Sequence, residues 1–274
     1  MKVVLFCGGL GTRLREYSEA IPKPMVPIGS QPILWHIMQY YSHYGHRDFV
    51  LCLGYKAGVI KEYFLNYKQT VAADCVTVSK FGSKVEIVRD RPPDWRVTLI
   101  DTGIWRNIGS RLLAVKHLVE KEEIFLANYS DGLTDAPLPE MVDKFRKSGK
   151  LGCFIAVHPP FSFHLAEFDG DSGIKRFRSS QQADIWINGG YFLFRSEIFE
   201  YIREGEDLVL EPFNRLMEKN LLMAYKYEGF WRAMDTLRDR QVLEEMAERG
   251  EMPWRPSHDA SRRPEVASPA GATS

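Results

Sequence analysis

Lys2–Cys7 reads KVVLFC, and Gly8–Leu14 follows at once as GGLGTRL. The first run has the length and continuous apolar character of a strand buried on both faces. The second is a glycine-rich turn at the end of that strand. Glycines let the backbone turn tightly and come close to a ligand. Exposed N–H groups in such a turn converge into an anion cradle. Arg13 adds a planar, permanently charged fork suited to phosphate. Ten residues on, Lys23 stands in Pro22-Lys23-Pro24-Met25-Val26-Pro27, where flanking prolines stiffen the chain and offer the lysine to the same polyphosphate. A Walker A loop needs GxxxxGK[ST], and no lysine follows these glycines. The dinucleotide fingerprint GxGxxG matches at Gly9 and Gly11, but Leu14 replaces its last glycine.

Outward from this turn, apolar strands alternate with helical patterns. Ile33, Leu34, Ile37, Met38 and Tyr41 recur at helical spacing within 32–45, with Pro32 near the first turn. Asp48–Leu53 reads as a strand and Ala57–Asn66 as a helix. Lys84–Val88 and Val97–Ile100 read as short strands, Arg111–Glu120 as a helix and Glu123–Ala127 as a strand. This alternation predicts an α/β fold, with a mostly parallel sheet flanked by helices. The second half is more mixed and is expected to be partly antiparallel, forming a smaller lobe beside the sheet. Strands are expected at Leu151–Val157, Leu165–Phe168, Ile174–Phe177, Ile185–Phe194 and Leu221–Tyr227. Helices are expected at Ser196–Arg203, Pro212–Glu218 and Thr236–Arg249. The stretch from Pro253 on is rich in Pro, Ser, Ala and Arg, and residues 256–274 are expected to form a flexible tail.

Composition narrows the function. The 274 residues carry 36 Lys plus Arg against 36 Asp plus Glu, so neither bulk binding to nucleic acid nor a polybasic membrane anchor is expected. No apolar stretch approaches the ~18 residues of a membrane span. The opening apolar run ends at Gly8, too early for a signal-peptide core, and the chain is expected to stay in the cytoplasm. Cys7, Cys52 and Cys153 lie in apolar runs, and the four cysteines lack CxxC or Cys/His spacing, which argues against zinc.

A polyphosphate normally arrives with magnesium held by one or two carboxylates. Asp131 follows the strand at Glu123–Ala127, where ligand residues of open parallel sheets gather. Its alternative role is that of an ordinary turn residue. Asp235 precedes the last helix and is positioned to cap it, a role worth ~1 kcal/mol. Capping and metal binding are compatible, since a carboxylate has two oxygens.

GGLGTRL at 8–14, PKPMVPIG at 22–29 and QPILWHIM at 31–38 resemble the opening of the sugar-1-phosphate nucleotidyltransferases. VTLIDTG at 97–103, INGGYF at 187–192, EPF at 211–213, GFWRAMDTLRD at 229–239 and MPW at 252–254 are similar to the glucose-1-phosphate cytidylyltransferase branch in particular. The resemblance covers about residues 2–255. It implies one Rossmann-like nucleotidyltransferase domain over 1–255, with a nucleotide-binding half at about 1–135 and a sugar-binding half at 136–255. It implies an NTP, with CTP favoured, a phosphorylated acceptor, Mg2+, and a homo-oligomer. By position, Gly8, Gly9, Gly11, Thr12 and Arg13 hold the nucleotide, and Lys23 binds phosphate in the transition state. Thr102, Gly103 and Gly109 lie where the nucleobase is read. Asp131 and Asp235 share magnesium. Tyr129, Asn188, Gly189 and Glu211 fall on the acceptor side. Arg13, Lys23 and Asp131 are the catalytic set.

The departures fall on the acceptor side. The family's Glu-Lys-Pro, whose lysine holds the sugar phosphate, is replaced here, with Ser180 at the lysine position. His164 stands where a family glycine meets the sugar, and it is read either as a packed histidine or as an acceptor contact. Lys175, Arg176 and Arg178 are read as solvated strand charges or as substitutes for the missing lysine. Tyr129-Ser130-Asp131 replaces the usual YGDG. Three readings follow: a CTP-using sugar-1-phosphate nucleotidyltransferase, the same chemistry on a non-hexose phosphate or phosphonate, and a catalytically silent nucleotide-binding relative.

Overall fold

The computed structural model describes residues 1–11, 21–67, 75–79, 84–88, 93–160, 164–179 and 184–255, with 75–79 and 84–88 as backbone alone. Thr12, Arg13, Ser180 and the 256–274 tail lie outside them. The central sheet has seven strands: β1 (Lys2–Phe6), β4 (Asp48–Leu53), β7 (Arg96–Asp101), β8 (Ile124–Asn128), β10 (Gly152–Val157), β13 (Ile187–Arg195) and β14 (Leu222–Tyr227); the two-stranded ladders of β2 (Pro27–Ile28) with β3 (Gln31–Pro32) and of β5 (Cys75–Ser79) with β6 (Lys84–Val88) are separate from it. Their order is β14-β10-β13-β8-β1-β4-β7. Strand β1 lies parallel to β4 and β8, β4 parallel to β7, and β10 parallel to β14. Strand β13 runs antiparallel to both β8 and β10.

Strand β1 shows why the sheet is covered on both faces. Val3 and Leu5 point into one apolar cluster, with Ile37, Met38, Phe145 and Tyr191. Val4 and Phe6 point into the other, with Leu112, Phe125, Phe192 and Phe213. Helices α1 (Ile33–His43), α2 (Ala57–Leu65), α3 (Ile108–Ala114), α4 (Lys116–Val119), α5 (Leu138–Ser148), α6 (Glu211–Glu218) and α7 (Leu237–Glu248) cover these faces or bridge the strands. Cys7, Cys52 and Cys153 are buried free thiols. Among the described residues no helix is long and apolar enough to cross a membrane.

The mixed second half contributes β10, β13 and β14 to this same sheet. The piece that stands off it is the hairpin of β11 (His164–Asp169) and β12 (Gly173–Ser179). Two local expectations are corrected. The helix expected at Arg111–Glu120 begins at Ile108, because Asn107 caps it by accepting from Ser110 N–H, and it breaks at Val115. The helix expected at Ser196–Arg203 is a short 3-10 turn, Ser196–Glu200. Helix α5 adds an element to those expected from sequence; Leu138, Met141, Val142 and Phe145 share its buried face and Gly149 ends it in the left-handed region at φ 65°.

The C-terminal end of the described chain is anchored by an aromatic latch. Trp254 is 2% exposed, packs against Phe230 and donates from Nε1 to His36 Nδ1 at 3.4 Å. His36 Nε2 pairs with the Ile28 carbonyl at 3.0 Å, so a neutral ring protonated on Nε2 satisfies both contacts. Burial, with Arg255 nearby, lowers the His36 pKa below the ordinary histidine value. His46 is held at about 4 by burial, with help from the Met1 amino group and Arg146. Both rings take a proton more readily in the unfolded chain, so their contribution to stability is present above about pH 6.5 and is lost as pH falls below it. The melting temperature is therefore expected to drop between about pH 7 and about pH 5. In a His36→Gln variant that drop is expected to be shallower, and an unchanged slope would show that the latch is not pH-sensitive.

Candidate active site

The carboxyl ends of β1, β8 and β10, with the amino end of the antiparallel β13, open into a cleft of about 450 Å³. It is lined by Gly9, Gly11, Lys23, Tyr129, Asp131, Asn188, Gly189 and Asp235, all singled out in the sequence, and by Pro160, Ile187, Trp231, Ala233 and Asp239. Lys23 borders it beside both aspartates. Pro22 is extended, and Lys23–Met25 forms a single 3-10 turn. The lysine is thereby rooted on a stiff segment whose next residues, Val26 and Ile28, are buried in the core.

A short ladder brings the two aspartates together. Strand β9 (Gly132–Thr134) pairs antiparallel with β15 (Trp231–Ala233), and Ala233 lies opposite Gly132. Just beyond, Met234 N–H donates to the Asp131 carbonyl at 2.8 Å. This places Asp131 and Asp235 on the same side of the cleft. Asp131 is turned inward by Ser130, a non-glycine residue at φ 61°. That conformation is strained for a side chain carrying a Cβ. Two hydrogen bonds hold it: Ser130 Oγ donates to Phe6 O at 2.7 Å, and Ser130 N–H donates to Asn128 Oδ1 at 2.6 Å.

The ammonium of Lys23 bonds both acids, at 2.7 Å to Asp131 Oδ2 and 2.7 Å to Asp235 Oδ1. Burial alone would lower the lysine pKa, but the two carboxylates more than offset this, and it stands above the ordinary value. Two carboxylates that converge on one cation, with no nitrogen or sulfur in the set, suit a hard ion such as Mg2+. Both acids are open to the cleft, with side chains 25% and 30% exposed. Among the described residues no cluster of three or more His, Cys, Asp or Glu side chains forms a complete metal cage. Magnesium commonly draws its remaining ligands from substrate phosphates and water, so the residues fit that ion.

Asp235 is not the cap of the last helix. Thr236 takes that position, accepting from Asp239 N–H while the Asp239 carboxylate accepts from Thr236 N–H. A capping box takes its acid from the fourth position of the motif, here Asp239, while the Asp235 carboxylate bonds Lys23 in the cleft. Thr236→Ala is expected to cost about 1 kcal/mol of stability with little loss of turnover. Thermal melts and initial rates separate the two effects.

The glycine turn is shaped by a residue that the sequence reading did not single out. Arg111 is 2% exposed. It donates to Leu53 O at 3.0 Å, Thr102 Oγ1 at 2.7 Å, Gly8 O at 2.9 Å and Ile104 O at 3.1 Å. It thus ties together the ends of three neighbouring parallel strands. A Cβ on Gly8 would stand 2.0 Å from the Arg111 guanidinium, so glycine is required there. A single arginine within an apolar helical stretch reads as a solvated charge, and nothing in the sequence pattern marks it as buried.

The structure does not bring every candidate into the cleft. The Thr102 hydroxyl donates to Leu53 O at 2.7 Å and also accepts from Arg111. Gly103, at φ 91°, begins the following loop. Gly109 is packed so that a Cβ would lie 2.4 Å from Glu206 O. Glu211 is exposed at the start of α6 and accepts from Asp207 N–H. His164 is exposed opposite Ser179, so it is not a packed histidine. Lys175 and Arg176 are exposed, and Arg178 is ion-paired with Glu167.

Tyr129, Asn188, Gly189 and Trp231 form the other wall. Asn188 Nδ2 donates to Tyr129 OH at 3.3 Å, and Trp231 Nε1 donates to Gly189 O at 2.8 Å. A Cβ on Gly189 would come within 2.7 Å of Ile155 and 3.0 Å of Trp231 Nε1. Glycine is what lets the indole Nε1 come this close to the strand.

Known proteins resemble this chain over most of its length. The nucleotidyl transferase family profile matches residues 2–239. The glucose-1-phosphate cytidylyltransferase of Salmonella typhi is 39% identical over 257 residues, which covers 93% of this chain and 99% of that protein. The mannose-1-phosphate guanylyltransferase catalytic subunit beta of Danio rerio is 26% identical over 237 residues, covering 84% of this chain and 60% of that protein. Among solved structures, HddC from Yersinia pseudotuberculosis complexed with GMP-PN shares the fold with a TM-score of 0.63 at 19% identity, covering 90% of this chain and 99% of that one.

Proposed function

Since this chain belongs to the nucleotidyl transferase family, as a sugar-1-phosphate nucleotidyltransferase close to the glucose-1-phosphate cytidylyltransferases, we propose that it joins CTP to a sugar 1-phosphate resembling glucose 1-phosphate and releases pyrophosphate. A phosphate oxygen of the acceptor attacks the α-phosphorus of the nucleotide, and the bond from that phosphorus to the pyrophosphate oxygen breaks. The attacking phosphate is already ionised, so no general base is needed. The barrier lies in bringing two anions together, and positioning with charge neutralisation lowers it.

The observation that carries this reading is the convergence of Lys23, Asp131 and Asp235 at 2.7 Å contacts on one side of the cleft. Lys23 offers its charge to the phosphates. The backbone of Gly9 and Gly11 borders the same space, and Arg13 is assigned to the triphosphate by its place in the glycine turn. Asp131 and Asp235 would hold Mg2+, which supplies further neutralisation of triphosphate charge when bound. Tyr129, Asn188 and the Trp231 indole offer hydrogen-bonding and flat apolar surface to a sugar.

A second reading keeps the chemistry and changes the acceptor. It is favoured by Ser180 at the family's lysine position and by the pairing of Arg178 with Glu167. One assay tests both: pyrophosphate release with Mg2+, each of the four common NTPs and a panel of sugar phosphates and phosphonates. The highest rate is expected with CTP and glucose 1-phosphate. A better non-hexose acceptor would favour the second reading, and no release with any pair would leave a silent nucleotide-binding relative. Self-association, expected from the family, is measured by light scattering.

A further inference from the structure

The Lys23 ammonium stands at the point on which both cleft acids converge, 2.7 Å from an oxygen of each. It is also more enclosed than they are, at 15% side-chain exposure against 25% and 30%. A divalent ion coordinated by this pair needs the same oxygen lone pairs. Two cations cannot occupy one such gap, because their repulsion at contact distance is large. Only the root of the lysine is fixed, by Pro22 and Pro24. Its four-carbon stem remains rotatable, so the ammonium can leave the acids without movement of the backbone.

A bare divalent ion that entered would push this ammonium away from its two anions and give it none in return. A polyphosphate entering with the ion brings several anionic oxygens, and the displaced ammonium can bond to those. The exchange is balanced only in the second case. We propose that Lys23 selects the metal–nucleotide complex over the free ion, closing the acid pair to a lone divalent cation and yielding it to one that arrives with a triphosphate. This rests on the reading of Asp131 and Asp235 as the metal ligands.

The test uses Mn2+ as the probe, titrated into the full chain without nucleotide and followed by calorimetry and by melting temperature. Lys23→Met and Lys23→Gln are expected to bind Mn2+ about tenfold or more tightly than the wild type, the factor expected when a charged hydrogen-bonding competitor is removed. Mn2+ is also expected to raise their melting temperatures more than that of the wild type. Lys23→Arg keeps the charge and is expected to behave like the wild type. In the wild type, which needs no variant to fold, a non-hydrolysable CTP analogue is expected to raise Mn2+ affinity to the level of the variants. Equal Mn2+ affinity in the wild type and Lys23→Met overturns the proposal, as does strong wild-type binding that the analogue leaves unchanged. Tight binding by Lys23→Met that survives both Asp131→Asn and Asp235→Asn overturns it differently, by removing the acid pair as the metal site.

Discussion

Lys23→Ala is expected to lower turnover about 100-fold or more, the usual consequence of deleting one preorganised charge at a reacting phosphate, while the protein keeps its fold. The lysine sits on a turn whose backbone bonds, Met25 N–H to Pro22 O and Val26 N–H to Lys23 O, do not involve its side chain. Its loss removes a positive charge from the cleft and leaves the Asp131 and Asp235 carboxylates facing each other. Two effects follow from that one change. The melting temperature falls in the absence of divalent ions, and Mg2+ restores it. Turnover stays low even when Mg2+ is saturating, because the ion does not replace the ammonium on the phosphates. Initial rates with saturating CTP and glucose 1-phosphate, alongside melts with and without Mg2+, measure both. Wild-type turnover in this variant would remove Lys23 from the mechanism.

Asp131→Asn is expected to cost a similar factor, about 100-fold, by a different route. The amide has nearly the shape of the carboxylate but lacks its charge. The Met234 N–H to Asp131 O bond belongs to the backbone, and Ser130 is held by its own two hydrogen bonds, so the ladder that positions Asp235 remains. What changes is the anionic charge available to a cation. The Mg2+ concentration for half-maximal rate is therefore expected to rise together with the loss of turnover. Lys23→Ala is expected to show no such rise. A variant in which turnover falls but the Mg2+ requirement is unchanged would show that Asp131 acts only as a partner of Lys23.

Much of this architecture is legible from local sequence. The doubly buried β1 announces itself as an unbroken apolar run, because Val3 and Leu5 go to one face and Val4 and Phe6 to the other. The glycines after it, the proline-flanked lysine and the two aspartates are visible because each is a short-range pattern of residue types. Helix α5 carries an equally local signal in the spacing of Leu138, Met141, Val142 and Phe145. Arg111 and Trp231 are different. An arginine is buried only when acceptors from distant strands surround it, and an indole lines a cleft only when a glycine elsewhere leaves room for it. Neither condition has a trace in the neighbouring sequence.

The residue order alone determined the alternation of strands and helices, the phosphate-binding turn and the chemical types gathered for the reaction, because periodicity and turn chemistry act over a few residues. Only the tertiary structure decided that Lys23 meets Asp131 and Asp235, 108 and 212 positions away, and that Thr236 rather than Asp235 caps the last helix. It also decided that Thr102 is occupied by Arg111. The reason is that the β9–β15 ladder and the ends of the parallel strands join segments far apart in the chain, and which side chain then neutralises which is settled by distances that exist only once those strands have paired.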